Sequence, residues 1–244
     1  MAMAEESQSL HFTGSAYRLG TDPGESSALV YTEIHQQTGT CKGGRWRPAQ
    51  DSVSYREPDG AERGTKSVDY RPEPLQPSYT LTDLKFDEHI RVVNDGDHAT
   101  IVYEEFGTAE PQRFKVELSP EAVIDAGFDQ WVVQNWNALL GGETLQFEFL
   151  AVTRGELFTF EATRIDEARA TAGDNIIRIK PAGFLAGFFV EPIFLAYDDR
   201  GYLTDYMGLG NIRKNGEANH EVHIRYVYEE LPTCPGVDAQ RAVR

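Results

Sequence analysis

The stretch SPEAVIDAGFDQWVVQNWNALLGG, residues 119–142, decides the reading of the fold, because it is the longest segment with a helical repeat. Val123, Ile124, Phe128, Trp131, Val132, Asn135, Trp136 and Leu139 recur at the spacing of one helix face. Ser119 stands where an N-cap belongs, and Pro120 suits a first turn, where its missing N–H is not needed. Glu121 lies where an acid meets the positive end of the helix dipole. Gly141-Gly142 supplies the stop. The spacing predicts one amphipathic helix with a broad apolar face.

Outward from this segment the repeat changes from helical to alternating. Leu145, Phe147 and Phe149 alternate with Gln146 and Glu148, and Phe158 and Phe160 with Thr159 and Glu161, across the turn Thr153-Arg154-Gly155-Glu156. That is a half-buried hairpin. Ile177 and Ile179 form a further strand. Ile193, Leu195 and Tyr197 lead through Asp198-Asp199-Arg200-Gly201 into Tyr202, Thr204 and Tyr206, a second hairpin, and Val222, Ile224, Tyr226 and Tyr228 form the last strand. Between them, Phe184, Leu185, Phe188 and Phe189 are spaced as in a short helical turn.

Towards the N-terminus, segments 79–86, 90–93, 100–106 and 113–118 read as meander strands, with Asn94-Asp95-Gly96-Asp97 as a hairpin tip. Residues 1–77 are rich in Gly, Pro, Ser and charge and read as an irregular section. Short strand pieces stand there at 28–36, 52–56 and 66–70, the last two joined by the Pro58-Asp59-Gly60 turn. Arg71–Pro77 reads as an extended crossing segment. No internal repeat is visible. The expected fold is mainly β, a curled antiparallel sheet or open barrel wrapped around one helix, in a single domain over 1–244 with its regular core at 78–231.

Composition bounds the partners. The chain has 244 residues, 40% hydrophobic and 25% charged, the balance of a folded globular protein. A formal net charge of −16 disfavours nucleic acid, whose backbone is bound by clustered Lys and Arg. The most apolar run, 182–190, is too short to cross a bilayer. Cys41 and Cys234 lie near opposite ends of the chain, where a barrel could bring its first and last strands together. One disulfide is conceivable, and two free thiols are the plainer reading, since a single pair has no spacing signature.

Motifs for catalysis are scarce. There is no Gly-x-Ser-x-Gly elbow, and Gly208-Leu209-Gly210 lacks the remaining glycine of a phosphate loop. His220 and His223 are three apart on a strand and point to opposite faces, so they do not share a metal. His11, His35, His89 and His98 stand isolated. No catalytic residue, metal or cofactor is assigned. What stands out is a surplus of large apolar side chains in the second half, ordinary core material one by one. A sheet curled round a single helix leaves a concave apolar interior, and such spaces take hydrophobic ligands.

The run Ile179-Lys180-Pro181-Ala182-Gly183-Phe184 through Pro192-Ile193-Phe194-Leu195-Ala196-Tyr197-Asp198-Asp199-Arg200-Gly201-Tyr202-Leu203, then Gly208-Leu209-Gly210-Asn211-Ile212 and Val222-His223-Ile224-Arg225-Tyr226, resembles an uncharacterised exported family of Gram-negative bacteria. That family has an open, curled barrel similar to periplasmic lipoprotein carriers. The resemblance implies a periplasmic protein whose signal peptide has been removed, and it carries over no functional residue. Residues 1–7 themselves have neither the basic flank nor the apolar core of a signal peptide.

Together these readings predict a periplasmic binding or carrier module for a lipid or other apolar molecule, held by Phe128, Trp131, Trp136, Phe149, Phe160, Phe184 and Phe188. The alternative is an interaction or envelope-assembly module with a solid core that docks a protein partner by strand addition. A third reading is a hydrolase or isomerase using carboxylates within the cup.

Overall fold

Period-two alternation governs most of the chain. The computed structural model describes residues 7–166, 171–183 and 191–234. Its first run of strands is β1 (Gln8–Arg18), β2 (Leu29–Lys42), β3 (Arg45–Arg56), β4 (Glu62–Asp69), β5 (Ser78–Asp83), β6 (Glu88–Asn94), β7 (His98–Glu104) and β8 (Gln112–Glu117). The two-residue β9 (Ala122–Val123) precedes helices α1 (Gly127–Gln134) and α2 (Trp136–Leu140). The chain then continues as β10 (Thr144–Ala151), β11 (Glu156–Ile165), β12 (Asn175–Pro181), β13 (Ile193–Tyr197), β14 (Leu203–Arg213) and β15 (Asn219–Tyr228).

Among the described residues these strands form one sheet, ordered β8 through β1 and then β15 down to β9. The meander thus runs outward from β1 to one end, crosses to the other end, and returns to lay β15 antiparallel on β1, with Phe12 opposite Tyr228. No ladder joins β8 to β9, so the sheet is curled and open. Its two ends nevertheless touch. Ser119 Oγ donates to Glu148 Oε2 at 2.5 Å. The Phe114 ring of β8 lies against the β10–β11 turn at Gly155, where a Cβ would stand 2.3 Å from the ring and φ is +65°. Only glycine fits both demands.

A charged network braces the curl from within. Arg63 of β4 donates to Asp83 Oδ2 at 2.8 Å and to the Arg213 carbonyl at 2.7 Å. Arg213, at the end of β14, is ion-paired with Glu88 of β6 and donates to the Tyr103 hydroxyl of β7 at 3.0 Å. These strands are far apart in the sheet order and meet only because the sheet curls.

The helix differs from expectation. Residues 119–126 do not begin it: Ala122–Val123 pair parallel with Glu148 and Phe149 of β10, and α1 starts at Gly127. Tertiary contacts outcompete the local capping signal. Gln76 Nε2 donates to the Ser119 and Ala122 carbonyls, the Ile124 N–H donates to the Leu75 carbonyl, and Lys66 is ion-paired with Asp125. Asp125 takes the left-handed conformation, φ 45°. The helix also divides at Asn135, whose side-chain amide donates to the Trp131 carbonyl at 2.9 Å. Gly142 ends it, as its sequence position suggests, with φ +87°.

The N-terminal section is also corrected. Residues 8–69 are not an irregular edge but four long strands at the middle of the sheet. Their apolar residues alternate with charged or small polar ones, so no window is hydrophobic enough to stand out, although Leu10, Phe12 and Ala16 all face inward. The predicted hairpins at 58–60, 94–97, 153–156 and 198–201 are all present. The helical turn predicted at 184–189 lies outside the described residues.

Cys41 and Cys234 form a disulfide, their Cα atoms 5.2 Å apart, in place of two free thiols. Pairing of β1 with β15 brings the chain ends together, a proximity that spacing alone does not reveal. The bond closes a loop over a separation of 193 residues and so restricts the unfolded chain severely. Replacing both cysteines with serine is expected to lower stability by about 2–5 kcal/mol in urea unfolding under non-reducing conditions. Equal midpoints for the two proteins would contradict that expectation.

Candidate functional site

The curl encloses a cavity of about 1310 Å³ between the sheet and the inner face of α1. This exceeds the roughly 300–1,000 Å³ of ordinary small-molecule sites. Alternation on successive strands fills its wall. Glu33, His35 and Gln37 of β2, Asp51, Val53 and Tyr55 of β3, Lys66 and Val68 of β4, and Tyr79 and Leu81 of β5 all point inward. Ladder register sets them side by side: Gln37 opposite Asp51, His35 opposite Val53, Val53 opposite Lys66.

His35 is the centre of the polar wall. Its Nδ1 lies 3.0 Å from Asp51 Oδ2 and its Nε2 3.3 Å from Glu33 Oε2, so both ring nitrogens donate and the imidazolium form is favoured. Burial alone pulls the imidazole down, but hydrogen bonds to Asp51 and Glu33 override it and push the pKa up to about 9. The ring stacks on Phe12 at 4.2 Å between centroids. Around it, Tyr226 donates to Glu33 Oε2 at 3.0 Å, Gln37 Nε2 donates to Asp51 Oδ2 at 3.4 Å, and Trp46 Nε1 donates to Gln37 Oε1 at 2.5 Å.

Helix α1 contributes a carboxylate to the same space. Asp129 Oδ1 accepts a hydrogen bond from the Tyr197 hydroxyl at 2.9 Å. Burial pushes its pKa up to about 6, with the Tyr197 bond holding it back from rising further. Tyr70, Tyr79, Tyr206, Tyr226 and Tyr228 complete an aromatic lining, and burial holds each phenol well above its ordinary value.

Four of the residues singled out from sequence, Phe128, Trp136, Phe149 and Phe160, line the apolar side of this cavity. Trp131 does not line it. Its ring packs on Phe147 at 4.7 Å and on Phe128 at 5.5 Å, within the core between α1 and β10–β13. At Gly127, where α1 begins, a Cβ would lie 2.1 Å from the Leu75 carbonyl, so the helix start seats closely on the preceding segment. Phe184 and Phe188 lie outside the described residues.

The polar wall escapes the reading from sequence, which treats residues 1–77 as irregular and His35 as isolated. The signal that could find it is the two-residue spacing Glu33, His35, Gln37 beside Asp51, Val53, Tyr55, with charge recurring where a core residue is due. On the outer face, His223 is buried and pairs with Asp205 at 2.8 Å. Among the described residues, no cluster of three or more His, Cys, Asp or Glu is arranged to hold a metal ion.

No family model matches the chain, and no curated protein does. Among solved structures it is similar to a β-barrel-like protein of a domain of unknown function, DUF1849, from Brucella abortus. The two share 7% identity at a TM-score of 0.47, over 90% of this chain and 95% of that chain. A likeness at this level says nothing of function.

Titration should separate the two inner groups. The raised pKa of His35 contributes stability that is complete below pH 6.5 and is lost as pH rises through about 9. At about 3 kcal/mol this should appear as a fall in urea midpoint between pH 6.5 and 9 that His35→Gln abolishes. Asp129 acts in the same sense at lower pH, since its raised pKa likewise costs stability as pH climbs through about 6. Asp129→Asn is therefore expected to gain stability relative to the parent at pH 7.5 but not at pH 4.

Proposed function

We propose that the chain is a binding or carrier protein for an amphipathic small molecule, the apolar part lying on Phe128, Trp136, Phe149 and Phe160. The observation that carries this is the cavity itself, about 1310 Å³ walled on one side by aromatic rings and on the other by buried charge. Its size counts against the interaction-module reading, which requires a packed interior. His35 is unsuited to act as a general base, because it stays protonated at neutral pH, and the hydrolase reading rests instead on carboxylates within the cup. The periplasm of a Gram-negative bacterium is the proposed location, supported by the Cys41–Cys234 disulfide, since such bonds persist in oxidising compartments.

Native mass spectrometry with organic extraction, on protein purified from its own host's envelope, tests the carrier reading. A defined small-molecule adduct at one per chain is expected, and a clean apo mass would overturn it. The placement of the apolar wall has its own test. Trp136→Ala should weaken binding of the fluorescent probe N-phenyl-1-naphthylamine. Trp131→Ala should leave that affinity unchanged while costing about 3–5 kcal/mol of stability, as expected of a core residue.

A further inference from the structure

The polar half of the cavity is unbalanced in two independent ways. Asp51 is 6% exposed, and its Oδ2 accepts from both His35 and Gln37, while its Oδ1 has no partner. Gln130 of α1 is 8% exposed, and its Oε1 also has no partner. Both side chains line the cavity, and both orphaned atoms accept hydrogen bonds. A buried acceptor without a partner is costly, and an incoming donor recovers that cost.

Charge points the same way. Among the deeper lining groups, Glu33, Asp51, Asp125 and Asp129 face only His35 and Lys66, while Glu88 and Arg213 pair with each other. Arg45, nearer the β2–β3 turn, is engaged with the Val133 carbonyl at 3.2 Å. The surrounding rings, Phe12, Tyr70, Tyr79, Tyr226 and Tyr228, present π-faces that attract cations. The Lys66 ammonium already sits over Tyr79 at 5.3 Å.

Resting on the carrier reading above, we infer that the ligand's head is a primary or secondary ammonium group, donating to Asp51 Oδ1 and Gln130 Oε1 among the tyrosine rings. A carboxylate, sulfate or phosphate head would meet the buried carboxylates of this wall. A quaternary ammonium would satisfy the charge but not the two acceptors. The ligand class is a monocationic amphiphile with N–H donors.

Calorimetric titration at pH 7.5 with three probes sharing one tail, decylammonium, decanoate and decyl maltoside, tests the inference. Decylammonium is expected to bind at least about tenfold more tightly than the other two, the scale of one hydrogen bond to a charged group. Gln130→Met and Asp51→Asn should each reduce that preference and leave decyl maltoside unchanged. Gln130→Met keeps the net charge and the packing volume, so attraction of a cation to the acidic surface would not respond to it. Decanoate or decyl maltoside binding as tightly as decylammonium would overturn the head-group assignment and leave the carrier reading standing. A preference untouched by Gln130→Met and Asp51→Asn would also overturn it. Failure of all three probes to bind would remove the carrier reading and this inference together.

Discussion

The curl of the sheet rests on a cross-brace of buried charge. Arg213 at the end of β14 reaches Glu88 and Tyr103 on the opposite wall, and Arg63 joins Asp83 to the Arg213 carbonyl. Each charge is buried, so each depends on its partner, and loss of one would strand another away from water. An open sheet without a closing ladder has no covalent or hydrogen-bonded reason to stay curled. The brace supplies one, and the Phe114–Gly155 contact and the disulfide act at the seam and at the chain ends.

Curvature has a functional consequence. A flat sheet buries a face by packing it against a second layer, whereas this one folds its inner face on itself and covers one end of it with a helix. Trp131, Val132 and Leu139 pack into the core beside β10–β13, and the space between β2–β6 and the face formed by Phe128, Trp136, Phe149 and Phe160 is left as cavity. The helix is too short to fill both. It begins late because the preceding residues are held extended against Leu75, Gln76 and β10, so the shortened helix and the cavity share one cause.

The interior divides into an apolar half, supplied mostly by the second half of the chain, and a polar half supplied by the first. Buried Glu33, Asp51 and Lys66 are costly positions for charge, and each is offset by an ion-pair partner, His35 for both carboxylates and Asp125 for Lys66. A core selected only for stability gains little from such groups. Their presence around a cavity, with acceptors left over, is the feature that separates this interior from ordinary packing.

The sequence by itself determined the mainly β class, the hairpins at 58–60, 94–97, 153–156 and 198–201, the presence of helix before Gly141-Gly142 though not its late start or its division at Asn135, and the aromatic surplus. Each is a local matter of turn chemistry or of the period of apolar residues over a few positions. Only the tertiary structure decided that Ser119 bonds Glu148 rather than capping a helix, that residues 8–69 lie at the centre of the sheet, and that Cys41 meets Cys234. It also decided which aromatic residues line a cavity and which, like Trp131, fill the core. The physical reason is common to all of these. They depend on strands distant in sequence coming together when the sheet curls, and curvature is set by contacts such as Arg213 with Glu88, whose partners lie 125 residues apart.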